Sequence, residues 1–477
     1  MRANLPENSR ERTATRLHSA VVIAAAFALP PLACLVGCPV DENGRQFALM
    51  GKAAFFWVAA IAVLAFLDRK TSRTQDEEKT FALLFPYAVF AVLAYLSVNV
   101  FWKSGWDYRA YESAAQAILA KSNPYTTASK YPYLYPPTLA FILAGAHEVL
   151  RVFLGSLGFE GGDGTVRTLV FYSYKAAHLL AAACVWTLLS RKEAGRESSL
   201  PPAAVASLFL FNVPLLFEMQ FSQVNMLIVL AVVLAVHLWE KRPGFAGCSL
   251  AFAVCLKPFA AVVLIPFLAR KPWRIAAGFL GALVMFLLVP DLAHHGIVGY
   301  DLILPMYAHA QVSLVSQSWS AMPLHDGSVR TLVELALQAL GIPFPIFSKI
   351  ASALWMLVCA SAAVFAVSRA GHAFPSRRTA VYQALAMAAF LPPLVWEHHY
   401  LLALPLAVDV FLRTHTRSLH LFALASGAVF LTPVTHMFPV PFIRLAGLIF
   451  LLHLSFTREG MDRNVRSPVA SGARFSR

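Results

Sequence analysis

The feature that most constrains this chain is a long series of apolar runs, each separated from the next by a short polar loop. Hydrophobic residues make up 58% of the 477 residues, and charged residues only 13%. A soluble domain carries about 25% charged residues, whereas a membrane-spanning helix needs about 20 mostly apolar residues in succession. The pattern excludes an ordinary soluble enzyme, a disordered chain and a small disulfide scaffold. It predicts an all-α polytopic membrane protein with about 12–14 transmembrane helices.

The formal net charge of +14 could indicate a nucleic-acid partner, but the positions of the basic residues favour another explanation. Most Lys and Arg residues lie in short loops between apolar runs. Such basic loops stay on the cytoplasmic side, and they therefore set the direction in which each helix crosses the membrane. This pattern predicts that both termini are cytoplasmic and that the bilayer, not a nucleic acid, is the partner. The predicted organisation is a cytoplasmic tail over 1–17, a membrane domain over 18–456 and a second cytoplasmic tail over 457–477.

Two long polar segments interrupt the apolar pattern, at 103–167 and at 291–327. In the predicted topology both form large loops on the outer side, and the first carries interfacial helices. The topology requires that 136–155 lies along the outer interface, which its charged residues and opening prolines support. In the alternative, 136–155 crosses the membrane and 244–269 forms one span. The first topology predicts a functional site on the outer face.

Asp107 and Lys257 are charged residues that lie next to apolar runs. A carboxylate beside aromatic residues at a membrane boundary can have a raised pKa, so Asp107 suits a general base. The alternative is that Asp107 caps the amphipathic helix that follows it. Lys257 precedes a proline between two short apolar runs. A lysine at membrane level needs an anionic partner, which could be a phosphate or a nearby carboxylate.

Three polar residues have positions that would suit sugar binding. Tyr135 belongs to the Tyr- and Pro-rich stretch 131–137, and Gln223 and Asn225 open an apolar run. Tyrosines suit a sugar ring or an interfacial aromatic belt. Amides can bind sugar hydroxyls or bond across helices. The residues alone leave these alternatives open.

A cluster of aromatic and ionisable residues, 396–400, lies between two apolar runs on the predicted outer side. It contains Glu397, His398 and His399. Adjacent residues cannot both face one way on a helix, so one histidine could bind an anion while the other packs. The spacing does not fit a metal site, because it lacks the HExxH pattern and an accompanying group of Cys or carboxylates. We predict no metal and no cofactor.

These motifs, taken in order, resemble those of the C-type membrane glycosyltransferases. They are most similar to glycosyltransferase family 87, which includes polyprenyl-phosphate-mannose-dependent α-mannosyltransferases of mycobacteria. The similarity covers roughly residues 85–450. The matching stretches are Asp107-Tyr108, Asn123-Pro124-Tyr125, Tyr135-Pro136-Pro137, Ser222-Gln223-Val224-Asn225, Gly247 through Lys257-Pro258, and Trp396-Glu397-His398-His399-Tyr400.

The resemblance implies the C-type fold and a membrane glycosyltransferase of the bacterial cytoplasmic membrane, with its active site on the outer face. The donor would be a polyprenyl-phosphate sugar, the sugar a hexose such as mannose, and the acceptor a lipid or glycan. Asp107 would be the catalytic base. The donor phosphate is assigned to His398 and His399, and to Lys257 from its position. Sugar and acceptor contacts are assigned to Tyr135, Gln223, Asn225, Glu397 and Arg330.

The chain departs from many C-type enzymes because Asp107 has no adjacent acidic partner. The next carboxylate, Glu112, follows five residues later, which favours a metal-independent enzyme. Three other interpretations compete with this one: an outer-face enzyme of the O-antigen ligase or polymerase kind, a transporter or flippase, and a membrane scaffold. A transporter predicts inverted repeats and ionisable residues open to both faces, and the sequence shows neither.

Overall fold

The structure is a computed structural model, and every regular element that it describes is helical. The described residues are 105–126, 133–159, 162–190, 208–209, 212–268, 273–298, 307–308, 328–371, 377–392, 395–413, 419–432 and 440–465. The predicted all-α class is confirmed over these ranges. The predicted N-terminal tail, the first apolar runs and most of the second outer loop lie outside the described residues.

The helices follow one another in the order that the apolar runs predict. We number them α1 Trp106–Leu119, α2 Thr138–Ser156, α3 Asp163–Ser190, α4 Val213–Phe221, α5 Asn225–Leu238, α6 Pro243–Leu256, α7 Leu264–Leu268, α8 Trp273–Val298, α9 Val329–Ala339, α10 Phe344–Gly371, α11 Arg377–Met387, α12 Leu404–Arg413, α13 Leu419–Phe430 and α14 Val440–Val465. Two 3₁₀ helices, Pro258–Val263 and Glu397–Ala403, precede α7 and α12.

Among the described residues, three helices are long and apolar enough to cross a membrane: α2, α3 and α8 up to Pro290. A fourth span is possible if the bent pair α4–α5 counts as one. The predicted total of about 12–14 spans includes segments outside the described residues, so it stays a prediction. The same holds for the interfacial placement of 136–155, which forms a helix of spanning length.

The pair α4–α5 is broken sharply, because the two helices meet at an angle of 117°. Ser222 takes a left-handed backbone conformation at the break, with φ 59° and ψ 46°. Such a conformation ends a helix, and Gln223 and Val224 complete the turn before α5 begins. We call residues 222–224 the corner. It points two polar residues, Gln223 and Asn225, toward the neighbouring elements.

A second break separates α6 from the helices that follow it. Lys257 is extended, with φ −148° and ψ 121°, as expected for a residue that precedes proline. Pro258 then opens the first 3₁₀ helix. The chain from Pro243 to Leu268 is therefore broken at Lys257, which lies at the junction between α6 and the 3₁₀ helix that leads into α7.

Close packing of α6 against α5 and α8 forms the centre of the described structure. Glycines allow the α6–α8 crossing, because a Cβ on Gly278 would overlap the backbone of Gly244. A Cβ on Gly247 would overlap the carbonyl of Ile275 and the backbone of Phe279. Such close backbone approach is how apolar helices associate where lipid removes the hydrophobic driving force. The crossing fixes α6, and with it the Lys257 junction.

The glycine crossing yields a test of the fold. Gly278→Ala should destabilise the protein by about 1–3 kcal/mol, because the added methyl meets backbone that cannot move aside. Gly281→Ala is the matched control, since that position on the same helix has open space around it, and alanine favours a helix by up to ~1 kcal/mol. Thermal unfolding in detergent measures both. Equal midpoints for the two variants would contradict the proposed packing.

Candidate active site

The corner between α4 and α5 exposes backbone groups that side chains of α3 satisfy. The Tyr174 hydroxyl donates to the carbonyls of Ser222 (3.0 Å) and Gln223 (3.3 Å). The His178 Nε2 lies 2.5 Å from the Gln223 carbonyl oxygen, and the Lys175 ammonium donates to the carbonyl of Met219. All three side chains are buried. They hold the corner in place from one side.

Glu218, a residue of α4, is hydrogen-bonded to the first residues of α5. Its carboxylate accepts one hydrogen bond from the Met226 N–H (2.9 Å) and one from the Asn225 amide (2.9 Å). The carboxylate therefore lies at the N-terminus of α5, where the helix dipole stabilises an anion. The Asn225 amide also donates to the carbonyl of His398 (3.3 Å), which ties the second 3₁₀ helix to the corner.

The Gln223 side chain projects from the corner and contacts three elements. Its Oε1 accepts hydrogen bonds from the Tyr135 hydroxyl (3.0 Å), the Lys257 ammonium (3.1 Å) and, at the long distance of 3.4 Å, the Tyr111 hydroxyl. Gln223 itself is only 2% exposed. Lys257, which is predicted to bind the donor phosphate, and Tyr135, which is predicted to bind the sugar, therefore both contact Gln223.

Asp107 lies in the first turn of α1, beside the corner. The N-cap position is held by Gly105, so the alternative in which Asp107 caps the helix is wrong. A Cβ on Gly105 would overlap the backbone of Phe221, and this close approach sets the start of α1 against the end of α4. The position of Asp107 therefore depends on a glycine two residues before it.

The Asp107 carboxylate is in an environment that suits a base. Burial raises its pKa above the ordinary value, while a hydrogen bond with the Gln223 side chain and the positive charge of Lys257 act in the opposite direction. Its Oδ2 is buried and has no hydrogen-bond partner among the described residues. A buried acceptor without a partner is rare in folded proteins and calls for an explanation. A substrate hydroxyl is such a partner.

Lys257 and the histidine pair lie on the other side of Gln223. The Lys257 ammonium is 3.5 Å from His399 Nε2 and sits over the rings of Tyr135 (5.4 Å) and Phe259 (5.7 Å). The two histidine rings lie 4.5 Å apart, centroid to centroid. Lys257, His398 and His399 are all buried. Three buried side chains with nitrogen groups this close together can bind an anion.

Further buried polar atoms near the corner have no hydrogen-bond partner. They are Ser222 Oγ, Asn225 Oδ1, His398 Nδ1 and Trp396 Nε1. Together with Asp107 Oδ2 they provide both donors and acceptors, as a sugar with several hydroxyls requires. Three of the predicted sugar contacts, Tyr135, Gln223 and Asn225, are thus within the same cluster as the predicted base.

Two predicted residues have other described contacts. Arg330 lies on α9 and forms an ion pair with Glu334, one turn along the same helix (3.0 Å). Glu397 begins the second 3₁₀ helix, and its charge acts on the buried Arg444 of α14. The hydrogen bonds that connect the cluster do not include either side chain, and their role in sugar or acceptor binding stays a prediction.

Sequence reasoning did not assign a role to four residues that build the site: Tyr111, Tyr174, His178 and Glu218. Glu218 and His178 carried a usable signal, because ionisable residues inside apolar runs are rare and are usually functional or paired. The tyrosines carried none, since aromatic residues are common in such segments. Their role is apparent only in the folded structure, where Tyr174 contacts the corner backbone and Tyr111 contacts the Gln223 side chain.

The described residues hold no group of three or more His, Cys, Asp or Glu side chains that could bind a metal ion. Parts of the predicted outer loops lie outside these residues. The prediction of a metal-independent enzyme therefore stays a prediction.

One comparison with known proteins gives a match. Residues 133–323 match the model of glycosyltransferase family 87. No curated protein and no solved structure gives a match. The matched segment includes Tyr135, Gln223 and Lys257, whereas Asp107 and the histidine pair lie outside it. The match covers less than half of the chain, and it supports the resemblance that the motifs indicated: residues 133–323 are similar to glycosyltransferase family 87.

Proposed function

We propose that this protein transfers a hexose, specifically mannose, from a polyprenyl-phosphate sugar to a lipid or glycan acceptor. The reaction takes place on the outer face of the bacterial cytoplasmic membrane and inverts the anomeric centre in a single displacement. The observation that carries the proposal is the Asp107 carboxylate, whose buried Oδ2 has no hydrogen-bond partner and which lies beside the Gln223–Lys257 pair. A base and a cation are thus held close together in a buried cluster.

The displacement uses the two sides of this cluster. The acceptor hydroxyl binds at Asp107 Oδ2, which takes its proton as the acceptor oxygen bonds to the anomeric carbon. The bond between the anomeric carbon and the phosphate oxygen breaks, and polyprenyl phosphate leaves with one more negative charge than it had in the donor. The charge lost from Asp107 therefore reappears on the leaving phosphate.

The leaving phosphate needs positive charge and hydrogen-bond donors. Lys257, His398 and His399 supply them from a buried position, where such groups stabilise developing charge more strongly than in water. Since Gln223 Oε1 already holds the Lys257 ammonium, the cation is in place before the donor binds. Ordering it in advance lowers the cost of the chemical step.

The position of basic residues along α5 supports an outer-face site. α5 begins at the corner and ends at Leu238, after 14 residues, which corresponds to about 21 Å. The exposed residues Lys241 and Arg242 follow at its far end. Basic loops favour the cytoplasmic side, so the corner lies at the opposite, outer end. Nucleotide sugars are absent there, which calls for a lipid-linked donor.

Replacing the base gives the first test of function. Asp107→Asn should reduce sugar transfer from a polyprenyl-phosphate sugar by at least about 10²-fold, because general base catalysis typically contributes that much. Folding should not suffer, since the change removes a buried charge. Transfer is measured with a lipid-linked, radiolabelled donor, and thermal unfolding in detergent is measured alongside.

Glu112→Gln is the matched control, because it makes the same chemical change on the same helix five residues away. It should retain transfer. Full activity in Asp107→Asn would remove Asp107 from the mechanism.

The raised pKa of Asp107 predicts a pH dependence. Only the ionised carboxylate can accept the proton, so activity should fall as the pH drops through the raised pKa. The acid limb of kcat/KM should therefore lie above ~3.9, the ordinary value for aspartate. A pH series in a constant-ionic-strength buffer measures it. An acid limb at or below the ordinary value would contradict the buried environment of the base.

Metal independence is tested by chelation. Since the proposed leaving-group stabilisation uses protein side chains alone, transfer should be unchanged in excess chelator. The assay compares chelator-treated protein with the same sample after Mg²⁺ or Mn²⁺ is returned. Loss of activity that either ion restores would show that a metal takes part.

A further inference from the structure

Ser222 has a backbone conformation that is uncommon for its residue type. It follows the last residue of α4 and lies in the left-handed region, with φ 59° and ψ 46°. The residue at this place after a helix is usually glycine, because a Cβ makes the left-handed conformation unfavourable. Among the described residues, Lys121 is the other non-glycine residue with a positive φ. A serine at this position therefore calls for a reason that glycine would not supply.

The hydrogen bonds of the corner do not supply that reason, because they use the backbone of Ser222. Its carbonyl accepts from the Tyr174 hydroxyl (3.0 Å), and its N–H donates to the carbonyl of Glu218. A glycine would form both bonds equally well. Serine side chains in turns commonly bond a nearby backbone group. The Ser222 Oγ is buried and has no such bond, nor any other hydrogen-bond partner among the described residues.

Ser222 thus combines two unfavourable features. Its backbone is left-handed, and its hydroxyl has lost its bonds to water without gaining any from the described residues, which destabilises a fold. A glycine would remove both features. Strained backbone and unsatisfied buried groups are concentrated at functional sites. Because a hydroxyl both donates and accepts, a ligand that carries hydroxyl groups would satisfy it.

The corner places Ser222 between the proposed base and the proposed cation. On one side, Gly105 lies against the backbone of Phe221, and Asp107 follows two residues later on α1. On the other side, the side chain of the residue after Ser222 accepts from the Lys257 ammonium (3.1 Å). In an inverting displacement the attacking hydroxyl and the leaving group lie on opposite sides of the sugar. The transferred sugar therefore lies next to the corner.

We propose that the Ser222 hydroxyl binds a hydroxyl group of the transferred sugar. The contact makes Ser222 a specificity-determining residue, since a sugar without a hydroxyl at this point would leave the serine buried and unsatisfied. This inference rests on the proposed function, because it takes a sugar between Asp107 and Lys257 as the ligand.

Two substitutions separate the hydroxyl from the backbone. Ser222→Gly removes the hydroxyl and relieves the left-handed strain, whereas Ser222→Ala removes the hydroxyl and keeps the Cβ. Both should lower kcat/KM for the donor by about 3–10-fold, which corresponds to one neutral hydrogen bond. The midpoint of thermal unfolding in detergent should fall in neither variant, and it should rise in Ser222→Gly.

Lys121 provides the matched controls, because it has the same left-handed backbone (φ 58°) and an exposed side chain just after α1. Lys121→Gly should raise the unfolding midpoint in the same way, and Lys121→Gly and Lys121→Ala should both transfer sugar at the wild-type rate. Full activity in both Ser222 variants would overturn the proposal. Loss of activity in Ser222→Gly alone would assign the effect to a loosened corner and would overturn the proposal as well.

A contact with the sugar also has a signature that a structural role lacks. Analogues of polyprenyl-phosphate mannose that each lack one hydroxyl are assayed with the wild type and with Ser222→Ala. For the hydroxyl that Ser222 binds, either change alone should lower kcat/KM, and both together should lower it little further. Additive losses for every analogue would contradict the contact. Should Ser222→Ala fail to fold, the same series with Ser222→Gly decides the question.

These outcomes are distinguishable from a failure of the proposed function. If Asp107→Asn is inactive while both Ser222 variants are fully active, the sugar contact fails and the proposed function stands. If Asp107→Asn is fully active while both Ser222 variants lose activity and one analogue shows the non-additive loss, the sugar contact stands and the assignment of the base fails.

Discussion

The site depends on how the protein satisfies an interrupted backbone inside an apolar helix pair. A 117° bend between α4 and α5 leaves carbonyl and N–H groups without helical partners, and water is scarce at membrane depth to replace them. Buried side chains of Tyr174 and His178 contact the carbonyls, and Glu218 accepts from the first N–H of the turn that follows. Without these hydrogen bonds, burying each of these polar side chains in apolar surroundings would destabilise the fold.

The side chains that satisfy the interrupted backbone also determine where charged groups can lie. Glu218 is balanced by the α5 N-terminus and by Lys257, and Lys257 is balanced in turn by Glu218 and Asp107. Three ionisable groups therefore compensate one another around one amide. A single buried charge in apolar surroundings would be unstable, but a network in which each member has a partner is permitted. An active site placed here has its electrostatic environment built in before any substrate binds.

Part of this arrangement could be read from the sequence. Lys257 lies between two short apolar runs and before a proline in the sequence, and the structure interrupts the helix at this position. Asp107, Gln223, Asn225 and the histidine pair were selected from their positions at the ends of apolar runs, and the described contacts bring them into one cluster.

The rest could not be predicted, for reasons that are physical. Ser222 carries no strong turn signal, since a serine with positive φ is uncommon, so the sharpness of the bend was invisible. The start of an apolar run at Gln223 indicates an interruption but not its angle, so the hydrogen bond between Glu218 and Asn225, seven residues apart, cannot be anticipated. The roles of Tyr111 and Tyr174 follow from distances across more than forty residues of sequence, which no local pattern encodes.

The contacts also show how the matched family segment relates to the complete cluster. The segment 133–323 supplies the corner and Lys257, but it lacks both the proposed base, Asp107, and the histidines. These come from α1 and from the second 3₁₀ helix, and each is tied to the corner by a specific contact. Gly105 packs against the backbone of Phe221, and the His398 carbonyl accepts from Asn225. The corner is thus the common reference point for elements on both sides of the family match. A change in its backbone would displace Asp107 and the histidines together, which explains why so many buried polar groups are committed to holding a turn of three residues.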